Sequence, residues 1–240
     1  MFLILPAAVV AQPPKQTDRD FDRIKGKAKT VVVESADFRP VVREWLEQER
    51  MLFRSVTYDA DGNYTQIKRY DDKGQLRESL VFSYLGKDQV ALAEKVNRAD
   101  ELGVVVKTTR RRLDPRYTYK YKYVFGRDGQ RLQELMYLND GWLAHRRVFR
   151  RQGRRTVILW YEHDGKLNSR VELITDDNGN EIELVSRDMI TDKIVYKYLE
   201  FDAQGNWTKR FEIRGYRDLT SAEFAQLKPW SVEYRTITYH

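Results

Sequence analysis

The chain has no cysteine, and only three histidines and six prolines in 240 residues. Without cysteine there is no disulfide, no thiolate metal site, no cysteine nucleophile and no attachment through a lipidated cysteine. The histidines, His145, His163 and His240, are scattered, and none stands at a two-histidine ligand spacing. No Gly-x-Ser-x-Gly elbow, Ser-x-x-Lys motif or phosphate-cradling glycine loop occurs. No cofactor and no metal are therefore expected. Long hydrophobic runs are also missing. The longest, Met1-Phe-Leu-Ile-Leu-Pro-Ala-Ala-Val-Val-Ala11, is too short to span a bilayer.

What is present is enough to build a core: 41% hydrophobic residues, of which aromatics make up 12% of the chain, exclude global disorder. Charged residues at 33% suit a sheet with one face in water better than a wrapped parallel sheet. The net charge of +7 is compatible with an acidic partner, although many basic proteins simply carry a lysine- and arginine-rich surface.

Residues 1–11 read as a truncated signal peptide. Val9 and Ala11 fit the small-residue pattern before a cleavage site, and the positively charged n-region is missing. The polar, Pro-containing stretch 12–29 reads as a leader or linker. Residues 30–240 are then a single β-repeat domain, interrupted by an irregular insertion at 87–116. In that insertion Asp88–Asn97 has helix-forming composition and reads as a short helix or loop, followed by a strand near Val104–Thr109.

The dominant pattern is a glycine that returns at about a dozen residues: Gly62, Gly74 and Gly86, then Gly129, Gly141, Gly153 and Gly165, and less evenly Gly179 and Gly205. Several sit in Asp/Asn-rich settings such as Asp59-Ala-Asp-Gly-Asn63 and Asp176-Asp-Asn-Gly-Asn180. Asp or Asn caps a chain reversal and Gly supplies positive φ, which closes a short hairpin. A dozen residues leave about eight for a strand, about 26 Å long. Turns this short exclude parallel crossovers. The expected fold is all-β: a single twisted antiparallel meander of ten or more strands, able to curl into an open barrel, with one or two short helices. Tyr117, Tyr119, Tyr121, Tyr123 and Phe125 share one face of a strand as an aromatic wall. Val41–Arg50 leans to strand, and Thr220 with Glu223 forms a candidate capping box for a helix over 220–227, ahead of Pro229.

Tyr58-Asp59…Gly62-Asn63, Tyr70-Asp71…Gly74 and Phe201-Asp202…Gly205-Asn206-Trp-Thr-Lys-Arg210 resemble bacterial YD-type repeats, the hairpin units of Rhs proteins and their relatives. The resemblance touches most of residues 50–210 and is specific at the turns. The family's repeat spacing is longer. The resemblance implies exported β-repeat architecture at the cell surface and brings no catalytic residue.

Three patterns in the sequence bear on chemistry. Asp59–Asn63 begins like a calcium loop, but the positions that require Gly and Glu hold Tyr64 and Tyr70. The basic run His145–Arg155 is the best binding candidate. Its six arginines, Arg146, Arg147, Arg150, Arg151, Arg154 and Arg155, could grip carboxylate or phosphate, although Arg146 and Arg147 point to opposite faces of a strand. A pair of sheet-borne carboxylates for glycosidic cleavage has no distinguishing pattern. No catalytic residue is assigned. The reading is an exported, non-enzymatic β-repeat protein acting as a structural or interaction module at the cell envelope, secreted or periplasmic. Its alternatives are a binding module for acidic envelope polysaccharide through the arginines and, behind that, a carbohydrate-active enzyme. Partners would be a protein or an acidic glycan, not nucleic acid, and dimerisation is one way to cover an open sheet's apolar face.

Overall fold

The computed structural model describes residues 16–41, 44–85, 90–96, 118–126, 128–138, 141–186, 193–216 and 218–240. The expected signal peptide, most of the 87–116 insertion and the predicted strand near Val104 lie outside them.

A four-residue helix, α1 (Asp18–Phe21), precedes a long first strand, β1 (Ala28–Val41), and the short β2 (Glu44–Glu47). The meander continues as β3 (Met51–Tyr58), β4 (Tyr64–Tyr70), β5 (Leu76–Leu85), β6 (Val90–Val96) and β7 (Thr118–Phe125). Then come β8 (Arg131–Tyr137), β9 (Leu143–Gln152), β10 (Arg155–Glu162), β11 (Leu167–Thr175) and β12 (Glu181–Ser186). The chain ends with β13 (Lys193–Phe201), β14 (Trp207–Gly215), the helix α2 (Ser221–Ala225) and β15 (Ser231–Tyr239). Every pairing is antiparallel, and from β3 to β15 each strand pairs with the next in sequence.

The curl brings the two ends of the meander together. β15 pairs with β14 on one side and with β1 on the other, in a register running from Ala28↔Tyr239 to Asp37↔Ser231. β1 also pairs with β3, so the pairings return to where they began. The outer end of β1 pairs instead with β2 as a separate hairpin. Curled in this way, the sheet covers its own apolar face, one of whose expected covers was a second copy.

The turn chemistry is as the sequence predicts. The N–H of Asp59, Asp71, Asp176 and Asp202 donates to the carbonyl four residues on, and the glycine N–H returns to the Asp carbonyl. Gly62 (φ 89°) and Gly179 (φ 85°) show why glycine is required. The Asp side chain secures the loop: Asp176 Oδ1 accepts from the N–H of Asn178 and Asn180. α2 is capped as expected, with the Thr220 hydroxyl accepting from Glu223 N–H and Glu223 accepting from Thr220 N–H. One expectation is corrected. Residues 90–96 form a strand, not a helix, because β5 and β7 offer a hydrogen-bond ladder on both sides, and such pairing overrides local propensity.

One face of the curled sheet points inward. Val31, Val56, Ile67 and Leu80 stand abreast on four successive strands and are buried. Continuing around the ring, the inward rows include Tyr121 and Tyr123 of the aromatic wall, then Glu134, Arg147 and Trp160. The interior is therefore part apolar and part charged. Outward positions carry ion pairs as well: Glu172 with Arg155 and Arg170, and Lys193 with Glu183.

Candidate functional site: the plugged interior

Antiparallel alternation sends the turns at 59–63, 126–130, 176–180 and 202–206 to one end of the ring and those at 71–75, 138–142 and 162–166 to the other. The first end is crossed by residues 16–27, part of the expected leader. Gln16 N–H donates to Gly129 O and Arg19 N–H to Gly62 O, both at 2.8 Å. At the far side Asn206 grips the backbone of Lys25 from both directions. Its Oδ1 accepts from Lys25 N–H at 2.7 Å and its Nδ2 donates to Lys25 O at 3.0 Å. Local sequence makes this possible. Thr17 and Asp20 form a capping box that starts α1, and Arg23 in left-handed geometry (φ 57°) turns the chain back toward β1.

The plug brings charge to the wall. Asp18 and Arg131 form an ion pair of 2.6 Å in which both side chains are almost wholly buried, 1% and 2% exposed. The Arg131 guanidinium lies between the rings of Tyr123 at 3.7 Å and Phe21 at 4.5 Å. Asp18 also accepts from the backbone N–H of Tyr64 at 3.0 Å. Burial would lower the basicity of Arg131, but Tyr123 and Asp18 outweigh it and hold the guanidinium firmly charged. Next to it, Phe21 meets Phe149 edge to face at 5.1 Å.

Beneath the plug is a cavity of about 220 Å³. Three ion pairs border it: Asp22 of the plug with Arg54 (3.6 Å), Arg23 of the plug with Glu181 (3.0 Å), and Arg210 with Glu233 (2.6 Å). Tyr58 donates its hydroxyl proton to Asp22 at 2.6 Å, and burial followed by Asp22 pushes this phenol far above its usual range. A fourth arginine, Arg235, also lines the cavity. Its guanidinium covers the Trp207 ring at 3.5 Å, with Arg210 against the same ring at 4.2 Å. Toward the other end of the ring a second cavity, of about 450 Å³, shares Phe53 and Glu233 with the first.

The six arginines singled out from sequence do not converge. Arg147 and Arg151 point inward with Phe149. Arg147 pairs with Glu134 at 3.1 Å over Trp160, and Arg151 donates to Arg131 O at 2.8 Å. Arg146 and Arg150 face outward, the former over Tyr161 at 4.7 Å. Arg154 donates to Thr175 O and pairs with Asp177, while Arg155 pairs with Glu172. Burial, and then the neighbouring Arg23 and Arg131, lowers the basicity of Arg151. Arg54, Arg131, Arg210 and Arg235 escape attention in the sequence. A signal for them does exist: Glu233, Arg235, Ile237 and Tyr239 share one parity, which places charge on the same strand face as apolar residues.

No family model and no curated protein matches the chain. Among solved structures it is similar to a porin-like protein from Bacteroides uniformis ATCC 8492, at 10% identity and TM-score 0.50, over 94% of this chain and 100% of that one. A porin-like protein from Bacteroides vulgatus ATCC 8482 is similar at 12% identity and TM-score 0.39, over 87% of this chain and 98% of that one. The first likeness shows the fold, an all-β antiparallel meander.

Proposed function

We propose that the chain is an exported, non-enzymatic β-repeat protein that serves as a rigid structural or interaction module in the cell envelope. The observation that carries this reading is the distribution of charge across the sheet. Outward, at mid-strand, stand Arg146 on β9, Arg170 and Glu172 on β11 and Lys197 on β13. A cationic residue on the lipid face of a membrane barrel costs about 2–4 kcal/mol at the bilayer midplane, so this outer face fits water better than lipid. The plug adds to the argument: with residues 16–27 bonded across one end, the ring is a stopped vessel more than a conduit. The carboxylates Glu181 and Glu233 that face the cavity are each engaged by an arginine, which suits a scaffold better than a pair of working acids. The porin-like character of the structural relative is compatible with an envelope setting. Of the arginines suggested for acidic polysaccharide, Arg146, Arg150 and Arg155 face outward, and Arg155 is already engaged by Glu172, which leaves Arg146 and Arg150 for this alternative.

Removal of residues 1–11 would leave every residue of the plug in place. Protein recovered from its own cells should begin at Gln12, partition outside the cytoplasm and stay in the aqueous phase when mixed with lipid vesicles. A cytoplasmic protein retaining residues 1–11, or one that floats with vesicles and needs detergent to be extracted, would overturn the proposal.

A further inference from the structure

The cavity beneath the plug carries four arginines, Arg23, Arg54, Arg210 and Arg235, against three carboxylates, Asp22, Glu181 and Glu233. Three arginines are matched one to one with those carboxylates. No described residue forms an ion pair or hydrogen bond with Arg235, and its Nε, like that of Arg54, is buried without a partner. An uncompensated charge inside a protein is costly, and here it is pressed against a second cation, because Arg210 and Arg235 share the Trp207 ring. Arg235 is enclosed by protein yet borders open space. That combination is a built receptor for negative charge. Guanidinium nitrogens form a fixed fork matched to carboxylate and phosphate oxygens, and aromatic walls exclude competing water.

We propose that this cavity binds a small oxyanion of the carboxylate or phosphate class, held by Arg235 and reached from the unplugged end of the ring. The anion neutralises the surplus charge and sits where Arg235 and Arg210 repel each other. A molecule of several heavy atoms fits about 220 Å³, whereas a polymer chain does not. Burial and then Arg210 lower the basicity of Arg235, down to about 10, and an anion beside it would raise it again. The inference goes beyond the proposed function and stands whether or not the protein is exported.

The test is calorimetric titration of the full chain, in a buffer free of oxyanions, with inorganic phosphate, sulfate and acetate in separate runs. Saturable binding is expected for at least one of the three, and the order of affinities separates a phosphate-type from a carboxylate-type ligand. Arg235→Gln should weaken that binding at least tenfold, and Lys197→Gln, on the outer face, should leave it unchanged. Trp207 lies directly against the Arg235 guanidinium, so wild-type tryptophan fluorescence should change with the same saturation curve, a readout that needs no variant. No saturable binding to any of the three anions, or equal binding by Arg235→Gln, would overturn the proposal.

Discussion

The two ends of the ring neutralise their charges differently. At the plugged end two wall arginines take their counterions from outside the sheet, Arg131 from Asp18 and Arg54 from Asp22. The plug's own Arg23 goes to Glu181 on the wall, and Arg210 alone of the paired cavity arginines finds its partner, Glu233, within the wall. Toward the open end the wall pairs with itself, as Arg147 does with Glu134 and Arg69 with Glu78 on neighbouring strands. The plug is thus a set of counterions as much as a stopper, and the sheet without it would hold cationic groups in a poorly hydrated space. Arg235 lies between the two regimes and is served by neither.

The largest effect should come from making the plugged end resemble Arg235. Asp18→Asn leaves Arg131 buried with Glu134, 3.9 Å away, as its carboxylate neighbour and with the like-charged Arg151 close by. Breaking a buried pair by removing one partner costs about 3–5 kcal/mol, which urea unfolding would register directly. Adding Arg131→Met to the same chain should recover much of the loss, since the stranded charge is then gone. A single-variant loss below about 1 kcal/mol would mean that the pair is no more than a surface contact and would remove the distinction between the ends.

A smaller effect separates two turns of the same type. Asn180 and Asn206 occupy equivalent positions, and each bonds the Asp that opens its turn. Only Asn206 also holds the plug, and it is 2% exposed. Asn206→Ala leaves Lys25 N–H and C=O without their partner and should cost about 2–3 kcal/mol, against about 1 kcal/mol for Asn180→Ala. Hydrogen exchange at the Lys25 amide should rise sharply in the first variant alone. Equal losses in the two would show that the turn, and not the plug, sets the cost.

The contrast also explains what could be read from sequence. Turns were legible because their chemistry is local: Asp176 and Gly179 specify a reversal whatever surrounds them. The capping box of α2 was legible for the same reason. The meeting of β1 with β15 was not, since Ala28↔Tyr239 joins residues from opposite ends of the chain and no local pattern encodes it. The strand at 90–96 was hidden by an Ala-, Glu- and Lys-rich composition that pairing overrides. The candidate site was the least legible part. In a sheet whose inside is charged, the parity of Arg146 and Arg147 does not announce which one faces in. Likewise the polar residues of 16–27 look like a solvated leader until Arg131 and Asn206 are seen to receive them.

The smallest effect belongs to the self-paired side, at His145 on β9. The imidazole lies against Trp160, ring centroids 4.9 Å apart, with Glu162 and Met136 in register on the flanking strands and Arg147 two residues along. Burial, and then Arg147, pushes its pKa down from 6.5 to about 4. The folded state therefore resists a proton that the unfolded chain accepts below about pH 6.5. Between those values the unfolded state binds more protons, so stability rises with pH through this window and is flat in this contribution above it. Allowing for the partial exposure of the ring, the contribution is about 1–2 kcal/mol. His145→Gln should leave stability at pH 7.5 little changed and make the loss between pH 7.5 and pH 4.5 smaller than in the wild type by about that amount. If the wild type and His145→Gln lose stability in parallel across that range, the histidine is as hydrated as one on the outer face, and the open end of the ring is wetter than the ring contact with Trp160 implies.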